Sequence, residues 1–283
     1  MGFLLLFFIV PSSITAQSAM PTGTVLGRML MIESDLNPKK VRGSTFSIDV
    51  DNREYWITAK HIITGAEKAP FGPIKSTSVT LQVESPAGPT QQWLPITFSV
   101  IDTSDDNVDI VVLAKPQTPL MDSPPNVTPD STGAIFGGDC EFLGFPYGGG
   151  WLGYFSEQGK SYWLPYIKHC VVSALQREPI TIWILDGINN DGFSGGPVIF
   201  GTGSTQKIMA VISGYHLEPS AVIPIPKDSD NGSKTPPEPQ PPPTEMVNVN
   251  SGFIIAYDIK YALDAIRKNP IGPLRPNKAV SPN

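Results

Sequence analysis

Asp191-Gly192-Phe193-Ser194-Gly195-Gly196-Pro197, running on into Val198-Ile199-Phe200, is the most informative stretch of this chain. Glycines on both sides of one serine make a tight turn that presents a single hydroxyl, and the β-branched residues behind it continue as a strand. A serine hydroxyl is a weak nucleophile until a base takes its proton, so the turn has chemical meaning only beside a histidine and an acid that orients it. Both lie upstream, in Ile57-Thr58-Ala59-Lys60-His61-Ile62-Ile63 and in Asn107-Val108-Asp109-Ile110-Val111-Val112-Leu113. The chain order is His, Asp, Ser.

Together these segments resemble the trypsin-like serine peptidases of the chymotrypsin fold, which carry Thr-Ala-x-His, an Asp entering a strand, and Gly-x-Ser-Gly-Gly-Pro. Position by position, the resemblance implies His61 as general base, Asp109 as its orienting acid and Ser194 as nucleophile. It also implies an oxyanion hole formed by the N–H groups of Gly192 and Ser194, where a side chain at position 192 would risk turning one donor away. The same turn satisfies Gly-x-Ser-x-Gly, the strand-to-helix elbow of α/β-hydrolases, in which acid and histidine follow the serine. Here two glycines, a proline and a strand follow Ser194, and the only later histidine, His216, is too close for intervening strand-helix units.

The neighbouring acids Asp102, Asp105 and Asp106 belong to a polar turn and are expected to be solvated or to cap backbone N–H groups, leaving Asp109 to open the apolar strand. Before that turn the pattern is almost wholly β, in runs at 24–33, 45–50, 55–58, 78–84 and 96–101, with 109–114 completing a set of six. In Val79-Thr80-Leu81-Gln82-Val83-Glu84 the alternation places three apolar side chains on one face. Residues 116–132, rich in proline, read as a connection between two halves.

A second β set follows. Gly144-Phe145-Pro146-Tyr147-Gly148 resembles the feature that opens the C-terminal barrel of bacterial trypsin-like peptidases, and runs at 167–175, 180–185 and 207–215 supply further strands. The predicted fold is therefore all-β: two antiparallel six-stranded barrels, spanning 24–115 and 133–268, with a cleft between them and a short C-terminal helix. Ile259, Ala262, Leu263 and Ile266 give that helix its apolar face, Asp258 is a plausible N-cap, and Pro270 ends it. Residues 269–283 read as a tail, with no length for a PDZ domain. Residues 219–244, dense in proline and without apolar periodicity, read as a mobile surface insertion.

In the resembling family the residue six before the nucleophile lies at the base of the primary pocket, where an acid selects Lys or Arg. Here it is Ile188, and Ser213-Gly214-Tyr215 matches the pocket-wall strand, so the expectation is an extended substrate with an apolar or small side chain in the pocket. Phe193 departs from the digestive branch, where an Asp pairs with a newly cut amino terminus. A phenyl ring makes no such pair, and the resemblance is nearest to the high-temperature-requirement branch, with Phe193 packed beneath the loop.

Composition agrees with a globular protein: 283 residues, 40% hydrophobic and 16% charged. A formal charge of -6 without a Lys/Arg cluster gives no electrostatic reason to expect nucleic acid as a partner. Residues 2–10 form a short apolar run followed by Ile14-Thr15-Ala16, which reads as a signal peptide (1–16) directing the protein outside the cytoplasm, secreted or periplasmic, without stable membrane association after cleavage. Cys140 and Cys170 fit a disulfide and two buried thiols equally well. With three histidines and no suitable spacing, neither a metal nor a cofactor is expected. The functional expectation is a secreted serine endopeptidase acting on protein or peptide through an acyl-enzyme; the alternative is a non-catalytic binding protein on the same fold.

Overall fold

The computed structural model describes residues 23–35, 40–84, 92–121, 127–155, 160–222 and 245–276; the expected signal peptide and most of the proline-rich insertion lie outside these. A helical turn, α1 (Gly23–Leu26), leads into β1 (Met29–Ser34), β2 (Val41–Val50) and β3 (Arg53–Thr58). Then come α2 (Lys60–Thr64), β4 (Ser78–Glu84), β5 (Trp93–Asp102) and β6 (Val111–Ala114). These strands close into an antiparallel barrel in the order β1-β2-β3-β6-β5-β4. Val79, Leu81 and Val83 all face its interior, as the alternation requires.

The second half contains β7 (Thr128–Pro129), β8 (Asp139–Gly144), the hairpin of β9 (Trp151–Phe155) and β10 (Lys160–Leu164), β11 (Tyr166–Gln176) and β12 (Ile182–Asp186). It continues with β13 (Pro197–Phe200), β14 (Lys207–Ala221), β15 (Met246–Asp258) and α3 (Lys260–Lys268). Six of these strands form a second barrel, β13-β8-β11-β12-β15-β14, which the pairing of β13 with β14 closes. The short β7 adds to β14 in parallel. Phe142, Phe193, Val198, Ile212 and Ala256 are among its fully buried residues, and Cys140 and Cys170, direct cross-strand partners with Cα atoms 4.9 Å apart, are joined as a disulfide.

Several boundaries differ from the sequence reading. Residues 24–26 form a helical turn closed by the Arg28 N–H on the Val25 carbonyl, so the first strand starts at Met29. Asp109 lies two residues before β6 rather than opening it, because its carboxylate is engaged by α2. The proline-rich insertion begins later than 219: Pro219, Ser220 and Ala221 pair with Asn248, Val247 and Met246. A proline is accommodated where no further strand needs its missing N–H. The described part of the 269–283 tail is docked against β3, where the Glu54 N–H donates to the Pro273 carbonyl at 3.0 Å. Buried Arg275 there meets Asp49 at 2.8 Å and Glu54 at 3.0 Å. From the other side, Ala262, Ala265 and Ile266 of α3 join Ile101, Ile110 and Val112 of the first barrel in one core, which ties the two barrels together.

Candidate active site

Ala59 follows β3 in extended backbone and α2 begins at Lys60, so His61 stands in the first turn of a helix that Gly65 ends in the left-handed conformation (φ 73°). Asp109 is wholly buried and accepts the His61 backbone N–H on Oδ1 at 2.8 Å, while His61 Nδ1 meets Oδ2 at 2.6 Å. A second donor reaches Oδ2 from the other barrel, the Ser213 hydroxyl at 2.5 Å. Three donors offset the cost of burying this carboxylate and fix the imidazole with Nδ1 toward the acid and Nε2 free to face the cleft. Phe71 flanks the imidazole at 6.4 Å and stands edge-on to Tyr257 at 6.2 Å. Burial, and then the nearby Asp109 charge, push the Tyr257 phenol far above its usual range, so it stays neutral.

Lys60, fully buried, carries its ammonium 2.8 Å from Asp102. Asp102 is thus a structural partner rather than a solvated turn acid, and it also accepts the Ile74 N–H at 3.0 Å. Asp105 behaves as its position predicts, capping the N–H of Asn107 at 2.9 Å. Lys60 therefore clamps the turn that delivers Asp109 to the helix that delivers His61.

In the second barrel, the turn that carries Ser194 is set by its peptide groups. The Asp191 carbonyl accepts the Tyr147 N–H at 2.7 Å and the Phe193 carbonyl accepts the Gly196 N–H at 2.8 Å. In a trans peptide the N–H opposes its carbonyl, so the Gly192 and Ser194 N–H groups point away from those contacts. Neither donates to a protein acceptor among the described residues. Gly192 adopts φ +100°, and a Cβ there would press into the carbonyl of Phe145, so glycine is required twice over. Phe193 is fully buried, its ring edge-on to Phe142 at 4.9 Å, which anchors the turn from below.

The Ser194 hydroxyl donates to the Ser213 carbonyl at 2.9 Å. Ser213 thus holds Asp109 through its hydroxyl and Ser194 through its carbonyl, linking Ser194, Ser213, Asp109 and His61 in one hydrogen-bonded series. Among the described residues there is no direct bond between Ser194 Oγ and His61.

No protein family model and no curated protein matches this sequence. Among solved structures, the HtrA-type protease AlgW with tripeptide aligns with a TM-score of 0.52 at 16% identity, over 87% of this chain and 61% of AlgW. The active form of the Rv3671c protease from M. tuberculosis aligns with a TM-score of 0.51 at 17% identity, over 97% and 96% of the two chains. The fold is that of the HtrA-type serine proteases.

Within this HtrA-type fold, Ser213, Gly214 and Tyr215 lie in the middle of β14. A side chain at Gly214 would meet nothing within 4 Å, so the strand has open space before it, and Asn189 Nδ2 holds the Gly214 carbonyl at 3.3 Å. Tyr215 donates its hydroxyl to Asp191 at 3.1 Å, and burial followed by that carboxylate raises its pKa. Ile188 is 53% exposed beside Gly252, more open than a pocket floor requires, and its carbonyl accepts the Lys168 ammonium. Among the described residues no cluster of His, Cys, Asp and Glu is placed to hold a metal.

Ser44 belongs to the site as well, without a motif in the sequence to mark it. This buried residue of β2 donates its hydroxyl to the Gly192 carbonyl at 2.7 Å, accepts the Phe145 N–H at 3.0 Å, and donates its own N–H to the Ser194 carbonyl at 2.8 Å. One first-barrel residue thereby braces the second barrel's turn. Its neighbours in β2 include Arg42, Thr45, Ser47 and Asp49, so a further serine there gives no local signal.

Proposed function

We propose that this protein is an exported serine endopeptidase in which Ser194 attacks the peptide carbonyl, His61 takes its proton and returns it to the leaving amine, and Asp109 orients the imidazole. The observation that carries this reading is the Ser194-Ser213-Asp109-His61 series, with His61 Nδ1 at 2.6 Å from a wholly buried carboxylate. For the attack, Ser194 Oγ rotates from the Ser213 carbonyl toward His61 Nε2. The unengaged N–H groups of Gly192 and Ser194 receive the oxyanion, and the acyl-enzyme is then hydrolysed by water that His61 activates.

Substrate lies extended along Ser213–Tyr215, adding a strand, with a small or apolar side chain in the space before Gly214 and near Ile188. AlgW's structure is described with a tripeptide, which suits this mode of binding. The Cys140–Cys170 bridge suits an oxidising compartment and the expected signal peptide.

A specific observation favours a second reading. The Ser194 hydroxyl is engaged by Ser213 rather than by His61, as suits a binding protein that holds peptide without cleaving it. Labelling by a fluorophosphonate separates the two. The endopeptidase reading expects labelling of the wild type that is lost in Ser194→Ala; an unlabelled, folded wild type leaves the binding protein.

A further inference from the structure

Among the described residues the 191–197 turn makes no ion pair, Phe193 being buried in an apolar cluster, and the partly buried Lys168 cation lies beside it. Lys168, on β11, sends its ammonium to the Ile188 carbonyl and to Asn190 Oδ1 at 2.9 Å. The same nitrogen lies 5.7 Å from the Phe193 ring centroid and 6.0 Å from that of Phe142. Burial lowers its pKa, while the two oxygens and two ring faces act the other way and favour the charged form.

Asn190 continues the series. Its Nδ2 donates to the Tyr147 hydroxyl at 3.1 Å, and its carbonyl accepts the Phe193 N–H at 3.3 Å. Tyr147, in the left-handed region at φ 54°, donates the 2.7 Å bond that fixes the Asp191 carbonyl. Because that carbonyl and the Gly192 N–H belong to one rigid peptide, whatever holds Tyr147 and Asn190 also sets the direction of the N–H. Sequence pattern alone does not reveal this, because Lys168 sits in an ordinary strand 22 residues from Asn190.

We propose that Lys168 is a positioning residue for the oxyanion hole: its ammonium, acting through Asn190 and Tyr147, holds the Asp191–Gly192 peptide with the Gly192 N–H turned into the cleft. The proposal rests on the endopeptidase reading. It assigns to an internal lysine the task of keeping the turn competent, so the turn needs no newly formed terminus.

The test measures kcat and KM on a peptide p-nitroanilide with valine at the cleaved position, for wild type, Lys168→Met and Lys168→Arg, with folding checked by near-ultraviolet circular dichroism. A peptide boronic acid of the same sequence serves as the tetrahedral mimic. Lys168→Met is expected to lower kcat about 100-fold, the cost of one lost oxyanion donor. KM should stay within about threefold, boronate affinity should fall in step with kcat/KM, and Lys168→Arg should recover most of the loss. A kcat within about twofold of wild type, a loss confined to KM, or an Arg variant no better than Met overturns the proposal. Should Lys168→Met fail to fold, Asn190→Ala is read by the same criteria. A folded wild type that neither hydrolyses the peptide nor takes up a fluorophosphonate sinks the endopeptidase reading itself, a result distinct from an active wild type matched by an equally active Lys168→Met.

Discussion

On the first barrel's side of the cleft, Asp109 is wholly buried and its carboxylate accepts three hydrogen bonds, two of them from His61; on the second barrel's side, Ser194 is half-buried and its hydroxyl makes one. Asp109 and His61 are fixed by a buried charge that must be satisfied. Ser194 is placed by backbone, through Gly192 at φ +100°, Gly195 at φ +82° and the carbonyls that Tyr147, Gly196 and Ser44 hold. A buried charge tolerates little movement because each lost donor leaves an unpaid cost, whereas a hydroxyl on a fixed turn can rotate between two acceptors. On the proposed endopeptidase reading, His61 and Asp109 would be the preorganised acid–base pair and Ser194 the nucleophile that turns toward it.

Removing the rotating hydroxyl has the largest expected effect: Ser194→Ala should lower kcat about a million-fold, with binding of an extended peptide retained. On the fixed side, Asp109→Asn should lower kcat about 10,000-fold by presenting the wrong imidazole tautomer. Gly192→Ala tests the backbone half. With a Cβ against the Phe145 carbonyl, it should lower kcat about 100-fold and also lower Tm. If Asp109→Asn were the milder change, the contrast between charge and backbone would be reversed.

Ser44→Ala probes the bond between the two halves. It strands a buried carbonyl at Gly192 and a buried N–H at Phe145, which should cost about 1–3 kcal/mol in denaturant unfolding and lower kcat without changing KM. The smallest effect is expected at Asp130, whose carboxyl Lys207, and then the Thr132 N–H, hold down to about 2. Since the folded value lies below the unfolded one, near 3.9, this pair stabilises above that value and the stabilisation disappears as pH falls toward 2. The Tm difference between wild type and Asp130→Asn should therefore shrink from pH 5 to pH 2. Both groups are about a third exposed, so water screening keeps the effect small.

Much of the architecture was legible because strand alternation and glycine-rich turns are short-range signals. Val79, Leu81 and Val83 show their common face within five residues, whereas the burial of Phe193 was implied by the family resemblance. Less legible were the ends of elements. The strand pairing of Pro219–Ala221 and the docking of Pro273–Arg275 depend on distant partners, and proline content by itself argued for a loop in one place and a tail in the other.

Residue order alone determined which groups could do chemistry here: one histidine after a strand, one acid beside an apolar run, and one serine among glycines. These readings are local because backbone freedom and side-chain period act over a few residues. Only the packing of two barrels decided that Ser44 would grip a turn 148 residues away, that Ser213 would touch both Asp109 and Ser194, and that buried Lys60 would pair with Asp102. Burial makes each polar group seek a partner, and the fold determines which partner is within reach.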